Sequence, residues 1–312
     1  MNAIEISGLS KRYASGFQHR RSKVALQALD LQVSEGETFG FLGPNGAGKT
    51  TTLKILMGLL RPSSGWARIL GMELDDPRMK AQIGFLPEQP YFYDYLTARE
   101  LLRYYGTLSG MASSSLDTRI AEVLARVGVA SSANLPLRKL SKGMLQRVGI
   151  GQAVLHDPRV LFLDEPMSGL DPMGQREVRD LIEALKAEGK TVFFSTHILS
   201  DAEALCDRVA VLHEGQLRGV GVVFDLLAST EGKVEVTWKG QSVPEELRSL
   251  SGEIRHSGPM TRALIRQGAQ DRAIDALREA RLEIVSVTPV RASLEDYFMG
   301  RVEAAQSDEV RR

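Results

Sequence analysis

The stretch GPNGAGKT at residues 43–50 constrains the fold of this 312-residue chain more than any other feature. It matches the pattern G-x-x-x-x-G-K-[ST] and lies between a strand-like run, TFGFLG at 38–43, and a helix-like run at 51–60. Its three glycines allow tight, partly left-handed turns, so that successive backbone N–H groups point at phosphate oxygens. The positive end of the following helix favours the same anion. The pattern therefore predicts a phosphate-binding loop in an α/β fold.

Two side chains of this loop are expected to act directly on the phosphates. Lys49 is predicted to reach the β- and γ-phosphates of a nucleotide, and the hydroxyl of Thr50 to bind Mg²⁺. The residues predicted to surround the nucleotide are Gly43, Pro44, Asn45, Gly46, Ala47, Gly48, Lys49, Thr50 and Thr51.

A second chemical feature is RVLFLDEP at 159–166, in which four apolar residues end abruptly in two carboxylates. The apolar run is typical of a buried strand. Asp164 is placed to hold Mg²⁺ through water, and Glu165 is placed to polarise an attacking water as general base. A carboxylate at the end of a strand is often only a turn residue, but next to a phosphate-binding loop the pair predicts hydrolysis.

Charge and composition exclude other classes of protein. The chain has 39 Lys plus Arg and 39 Asp plus Glu, so a main partner made of nucleic acid is not expected. Cys206 is the only cysteine, which excludes an intrachain disulfide and favours a reducing cytosol. The N-terminus lacks the apolar core of a signal peptide, and no stretch approaches the ~20 apolar residues of a membrane span. We expect a soluble chain.

The order of apolar runs predicts two domains. Strand-like and helix-like runs alternate over residues 1–229, which indicates an α/β domain with a mainly parallel sheet. Within it, about 97–156 is helical only and begins with a capping box at Thr97 and Glu100. Residues 230–312 follow the order β-α-β-β-α-β, typical of small ferredoxin-like α+β domains, with a last helix from Ser293.

These residues resemble the nucleotide-binding subunit of ABC transporters over about residues 3–228, with each motif in the family's order. GPNGAGKT is similar to the Walker A motif and VLFLDEP to Walker B. SGLD at 168–171 resembles the D-loop, which crosses to a partner subunit. STH at 195–197 resembles the switch region, which implies that His197 contacts the γ-phosphate. Tyr13 matches the aromatic residue that stacks on adenine, although ASGFQHRRSK after it is expected to form an unusually long loop.

The stretch LSKGMLQR at 140–147 has two interpretations. Ser141 is expected to cap a helix, which is a common and purely structural role. The stretch also lies where the family carries its LSGGQ signature, which implies that Ser141 and the amide of Gly143 meet the γ-phosphate of ATP held by a second subunit. Lys142 and Met144 depart from the family's pattern. Lys142 adds a positive charge that suits phosphate, so we expect the function to be retained.

A second departure lies in GFLPEQPYFYDYL, where the family's Q-loop glutamine follows the proline. This chain has Glu88 at that position and Gln89 one residue later, and either residue is a candidate to report on Mg²⁺ and the attacking water. Five of the seven tyrosines follow closely. They are predicted, together with Phe92, to form the surface on which a membrane partner docks: Tyr91, Tyr93, Tyr95, Tyr104 and Tyr105. The alternative is that these rings fill the core of the helical insertion.

The resemblance implies an ATPase that uses ATP and Mg²⁺, with Lys49, Glu165 and His197 as its catalytic residues. Two copies are expected to sandwich ATP as a homodimer on the cytoplasmic face of the membrane, beside a separately encoded integral membrane permease. SLEDYF at 293–298 is similar to an extension of ATPases that pair with export permeases. The rival functions are a soluble ABC-type ATPase acting on ribosomes or DNA, and an ATP-binding regulator that does not hydrolyse ATP.

Overall fold

The computed structural model describes residues 1–15, 21–228 and 233–290. The chain forms two compact units, Met1–Val222 and Val223–Arg312. The boundary expected from the sequence lies between residues 229 and 230. Within the described residues, no helix combines the length and the apolar character that crossing a lipid bilayer requires.

The larger unit is built on a six-stranded sheet with the order β10-β9-β3-β8-β7-β6. All its neighbouring strands are parallel except β10, which pairs with β9 in the antiparallel direction. The three central strands are buried along their whole length, which explains their continuous apolar sequences. The strands are β3 (Thr38–Leu42), β6 (Ile83–Leu86), β7 (Val160–Asp164), β8 (Thr191–Thr196), β9 (Arg208–His213) and β10 (Gln216–Val222).

A second, antiparallel sheet in this unit was not predicted. It has the order β2-β1-β4-β5 and packs its apolar face against the core beside the parallel sheet. Its strands are β1 (Asn2–Ser15), β2 (Arg21–Ser34), β4 (Ser64–Ile69) and β5 (Met72–Glu73). The prediction of one long loop over residues 14–23 is wrong at both ends, because Ala14 pairs with Ser22 and Ser15 with Arg21 in the ladder.

Helices cover the parallel sheet and form the insertion predicted at about 97–156. The insertion has its own apolar core, continuous with the core under β7 and β8, and the capping box at Thr97 and Glu100 is confirmed. The first helix ends at Leu56, earlier than the predicted run to residue 60. The helices of this unit are α1 (Lys49–Leu56), α2 (Pro77–Lys80), α3 (Ala98–Leu108), α4 (Ser113–Arg126), α5 (Lys142–Val154), α6 (Pro172–Ala187) and α7 (Leu199–Leu205).

The smaller unit begins with α8 (Val223–Ala228) and then follows the predicted order β-α-β-β-α-β. Its four strands form an antiparallel sheet with the order β12-β13-β11-β14, and Trp238 is fully buried in the core. The predicted helix from Ser293 and the stretch SLEDYF lie outside the described residues. The elements are β11 (Lys233–Lys239), α9 (Glu245–Leu250), β12 (Ser251–Ser257), β13 (Met260–Arg266), α10 (Gln270–Glu279) and β14 (Ile284–Val290).

Candidate nucleotide-binding site

The predicted phosphate-binding loop connects the end of β3 to the start of α1. Gly48 precedes the helix with φ +112°, and a Cβ there would lie 2.5 Å from the carbonyl oxygen of Ala25, so this position requires glycine. The first N–H groups of α1 have no partners within the helix and are free to bind an anion. The Lys49 ammonium is buried and donates to the carbonyl oxygen of Gly43 over 2.6 Å.

A cavity of about 220 Å³ opens over this loop. Tyr13 and Glu88 line it from distant parts of the sequence, and so do Lys23 and Ala25 of β2, which the sequence motifs do not predict. Gly43 and Ala47 do not line the cavity, because Gly43 contributes only its carbonyl to Lys49 and Ala47 is buried beneath the loop. The predicted residues that line it are Tyr13, Pro44, Asn45, Gly46, Gly48, Lys49, Thr50, Thr51, Glu88 and Glu165.

Three side chains form a series of contacts that begins at this cavity. Lys49 Nζ lies 3.2 Å from Glu165 Oε1, and His197 Nδ1 lies 2.8 Å from Glu165 Oε2. Glu165 follows β7 in the left-handed region, with φ +50°, and its backbone N–H donates to Ser195 Oγ. The structure therefore brings Lys49, Glu165 and His197 together, although they come from three separate motifs.

Asp164 lies beside this chain of contacts and is 3% exposed. The Ser195 hydroxyl donates to Asp164 Oδ1 over 2.5 Å, and Thr50 donates a second hydrogen bond to the same carboxylate. Burial raises the pKa of Asp164 above its ordinary value, while the two hydrogen bonds oppose that shift. Ser195 belongs to the STH motif, but the motif alone does not predict its contacts with Asp164 and with the backbone of Glu165.

The two candidates for the Q-loop residue occupy different places. Glu88 lines the cavity, whereas Gln89 does not. The side-chain oxygen of Gln89 accepts a hydrogen bond from the Tyr91 hydroxyl at 3.1 Å, on the exposed surface. In this arrangement Glu88 is the residue nearer to the phosphate-binding loop.

Ser141 and Gly143 do not lie at this first cavity. Ser141 caps α5 by accepting from the Met144 N–H at 3.2 Å, so the capping interpretation is confirmed. Both residues line a second cavity of about 340 Å³, together with Gly169 and Asp171 of the SGLD turn. Lys142 Nζ lies against Gly169, where a Cβ would come within 2.1 Å of it. The absence of a side chain at Gly169 therefore makes room for the lysine that departs from the family pattern.

The aromatic residues after Gln89 separate into two groups. The exposed rings are Tyr91, Tyr93, Tyr95 and Tyr104, of which Tyr91 is 90% exposed. Phe92 and Tyr105 pack against the core of the helical insertion and contact each other with ring centroids 6.3 Å apart. The alternative that these rings fill the core therefore holds for Phe92 and Tyr105 only.

A strand, a glycine-rich loop with its lysine, and a helix, beside a second strand that ends in two carboxylates, define a P-loop NTPase. Residues 26–168 match the model of the ABC transporter family. An uncharacterized ABC transporter ATP-binding protein of Synechocystis sp. is 44% identical over 305 residues, covering 96% of this chain and 84% of that relative. This chain therefore belongs to the family of ABC transporter ATP-binding proteins.

Other members of the family extend the comparison. A fluoroquinolones export ATP-binding protein of Mycobacterium tuberculosis is 38% identical over 76% of this chain and 77% of its own length. Among solved structures, the ATP-binding cassette MJ0796, a dimer in a post-hydrolysis state bound to ADP and Pi, is 27% identical with a TM-score of 0.64. That alignment covers 70% of this chain and 98% of the cassette.

Proposed function

We propose that this chain hydrolyses ATP in the cavity over the phosphate-binding loop and drives transport through a separately encoded permease. The contact chain Lys49–Glu165–His197 carries the proposal, because it joins a phosphate-binding cation to a carboxylate at the end of a strand. Hydrolysis of Mg²⁺-ATP by the purified full-length chain, compared with its Glu165→Gln variant, tests the proposal. The fluoroquinolones export relative favours export as the direction of transport.

The residues of the cavity suit both the adenine and the phosphates of ATP. Tyr13 lines the cavity and is 38% exposed. Its ring is therefore available to stack on an adenine. Lys49 and the first N–H groups of α1 supply positive charge for the phosphates. Lys49 is neutralised by Glu165 in this structure, so bound phosphates would compete with that carboxylate for the ammonium.

The residues around Thr50 also suit Mg²⁺. Thr50 and Asp164 are hydrogen-bonded to each other, and both carry the oxygen ligands that Mg²⁺ prefers. In the described part of the chain, no three or more His, Cys, Asp or Glu side chains form a metal cluster. A site of one hydroxyl and one carboxylate therefore relies on substrate phosphates for further ligands, as Mg²⁺ sites commonly do. When bound, the ion would neutralise charge on the β- and γ-phosphates.

Glu165 is the residue that we propose as general base. Its backbone is held by Ser195 and its carboxylate by Lys49 and His197, so the side chain has a defined position at the cavity. Once the phosphates draw Lys49 away, one carboxylate oxygen becomes free to accept a proton from water. His197 retains its contact with Glu165 and orients the carboxylate.

The second cavity provides the reason for proposing a dimer. Ser141 and Gly143 stand at the N-terminus of α5 but lie in a different cavity from Lys49, so they cannot complete the first cavity of the same subunit. Two copies packed head to tail would place the second cavity of each over the nucleotide of the other. The cassette MJ0796, whose structure is dimeric, supports the proposal of a dimer.

Replacing Ser141 by alanine is expected to reduce ATPase activity by about 10- to 100-fold, since a hydrogen bond to a charged group contributes about 1.5–3 kcal/mol. Loss of the cap itself costs only about 1 kcal/mol of stability. Thr97→Ala is the matched control, because Thr97 caps α3 and lies at neither cavity. Similar losses of thermal stability in both variants, with ATPase activity lowered only by Ser141→Ala, support the proposal. Full activity in Ser141→Ala leaves capping as its sole role.

The exposed tyrosines are the surface on which we propose that the permease docks. They follow Glu88, which lines the first cavity, so a partner there would sense the nucleotide. Tyrosine supplies a large apolar contact area and keeps a polar hydroxyl at the rim. Tyr93 forms ring contacts with both Tyr95 and Tyr104, so these three rings form one continuous patch.

Replacing Tyr91, Tyr93 and Tyr95 together by serine is expected to abolish co-purification of the membrane partner, while thermal stability and basal ATPase activity stay close to those of the unmodified chain. The measurement is recovery of a protein with several membrane spans, by affinity purification from detergent-solubilised native membranes. Phe92→Ser serves as the comparison and is expected to lower thermal stability, because its ring packs on the core. Recovery of the same partner with the triple variant contradicts the proposal.

A further inference from the structure

An ion pair between a half-buried arginine and a buried aspartate connects helices α6 and α7. Arg179 of α6 lies 3.5 Å from Asp201 of α7, measured from Nη2 to Oδ1, and Asp201 is only 2% exposed. A carboxylate this buried is costly unless it is paired. Burial raises its pKa, and Arg179 opposes that shift. The pair thus holds the two helices to each other where neither contacts a nucleotide directly.

The same arginine belongs to a series of hydrogen bonds that begins in the SGLD turn. The carbonyl oxygen of Leu170 accepts from Gln175 Nε2 at 3.3 Å, and Gln175 Oε1 accepts from Arg179 Nη2 at 3.5 Å. Leu170 lines the second cavity. A continuous polar path therefore runs from that cavity along the first two turns of α6 to Asp201.

The other end of the path, Asp201, lies on the helix that follows His197. Helix α7 begins two residues after His197, and His197 contacts Glu165, which in turn contacts Lys49. Asp201 is also within electrostatic range of Glu165 and His197. Contacts therefore lead from the second cavity to Asp201, and an electrostatic interaction links Asp201 to Glu165 and His197 at the first.

The pairing between Arg179 and Asp201 is incomplete. Arg179 Nε and Asp201 Oδ2 are both buried, and neither has a hydrogen-bond partner among the described residues. A buried donor and a buried acceptor that are left unpaired are each unfavourable. A small shift of α6 relative to α7 would allow the two-pronged arginine–carboxylate geometry, which is stronger. Such a shift would give the two helices a second, better-bonded arrangement.

We propose that Arg179 and Asp201 are positioning residues that couple the nucleotide cavity of a subunit to its second cavity. The inference rests on the proposed function, in which the second cavity closes over the ATP of the other copy. Nucleotide at the first cavity changes the contacts of Glu165 and His197, shifts α7, and moves the SGLD turn through Asp201 and Arg179. The partner that receives this signal is a second copy of this chain.

The test uses Asp201→Asn and Arg179→Met in the full-length chain, each of which removes the charge with little change of volume. We expect each variant to bind ATP as the unmodified chain does and to lose between about twofold and thirtyfold in kcat, the range of measured coupling energies. The double variant is expected to lose no more than either single variant. Arg179→Lys is expected to recover most of the activity that Arg179→Met loses.

A second measurement does not depend on hydrolysis. Amide hydrogen exchange of residues 168–175 is compared in the presence and in the absence of ATP. Both samples lack Mg²⁺, and the protein concentration is one at which light scattering shows single chains. ATP is expected to change exchange there in the unmodified chain and in Lys186→Met, but not in Asp201→Asn or Arg179→Met. Lys186 is the control because it forms an exposed ion pair with Asp207 at the other end of α6.

The outcomes separate the inference from the proposed function. The inference alone is overturned if ATP still changes the exchange in Asp201→Asn and Arg179→Met. It is also overturned if ATP binds to the unmodified chain without changing the exchange. Loss of thermal stability without any change in kcat or in exchange response also overturns it, since a purely structural pair behaves in that way. Failure of the unmodified chain to bind ATP overturns the proposed function and the inference with it.

Discussion

Replacing Glu165 by glutamine is expected to reduce ATP hydrolysis by about 10²- to 10⁴-fold, the usual contribution of a positioned base, and to leave ATP binding intact. Glutamine has nearly the same shape but cannot accept the proton of the attacking water. It also removes a negative charge that lies beside the phosphate-binding loop, 3.2 Å from Lys49. Without that charge near the γ-phosphate, the variant is expected to accumulate as an ATP-bound dimer.

Two measurements check this expectation. Steady-state phosphate release gives the loss of turnover, and light scattering with Mg²⁺-ATP gives the dimer, which should be absent with ADP. Glu88→Gln is a useful comparison, because Glu88 lines the same cavity without contacting Lys49 or His197 in the described contacts. Near-normal turnover in Glu165→Gln would rule out Glu165 as the base.

Replacing Lys49 by alanine is expected to weaken ATP binding by about 30-fold or more, since truncating one partner of a buried charge pair costs about 2–5 kcal/mol. The ammonium is 6% exposed and contacts the Gly43 carbonyl and Glu165. Its removal also leaves the Glu165 carboxylate buried without its cationic partner, in contact with His197 Nδ1. The nucleotide-free variant should therefore lose thermal stability as well as affinity.

The matched control is Lys54→Ala, since Lys54 is an exposed lysine of the same helix α1. Calorimetric titration with ATP and a thermal melt of the nucleotide-free chain are measured on both variants. Lys54→Ala is expected to resemble the unmodified chain in both experiments. Equal affinities for ATP in the two variants would show that phosphates bind elsewhere.

The sequence predicts the residues of the first cavity well because each of its motifs stands at a fixed place relative to a strand or a helix. GPNGAGKT has to connect a strand to a helix, and an apolar run ending in Asp164 and Glu165 has to place both at the carboxyl edge of a parallel sheet. Since STH also ends a strand of that sheet, His197 could be expected near Glu165. The β-α-β-β-α-β order of the smaller unit followed from alternating short runs in the same way.

Other features depend on contacts that local patterns do not encode. The antiparallel sheet of β1, β2, β4 and β5 pairs residues as far apart as Ile4 and Ile69, and its β-bulges interrupt the alternation that would reveal it. The separation of Phe92 from its exposed neighbours depends on which ring meets the helical insertion. The position of Lys142 against Gly169 depends on two turns that are distant in sequence.

The central claim is that one copy of the chain completes the catalytic site of another, and mixing two impaired variants tests it most directly. Glu165→Gln and Ser141→Ala damage opposite sides of a site that is formed between subunits. A mixed dimer therefore has one doubly damaged site and one intact site. The two variants are combined before nucleotide is added, and phosphate release is compared with that of each variant alone.

The account predicts that an equal mixture recovers up to about a quarter of the activity of the unmodified chain, because half of the dimers are mixed and each has one intact site of two. The two variants alone should stay well below that level. If the activity of the mixture equals the average of the two separate variants at every ratio, Ser141 acts within its own subunit or not at all, and the proposed head-to-tail arrangement is wrong.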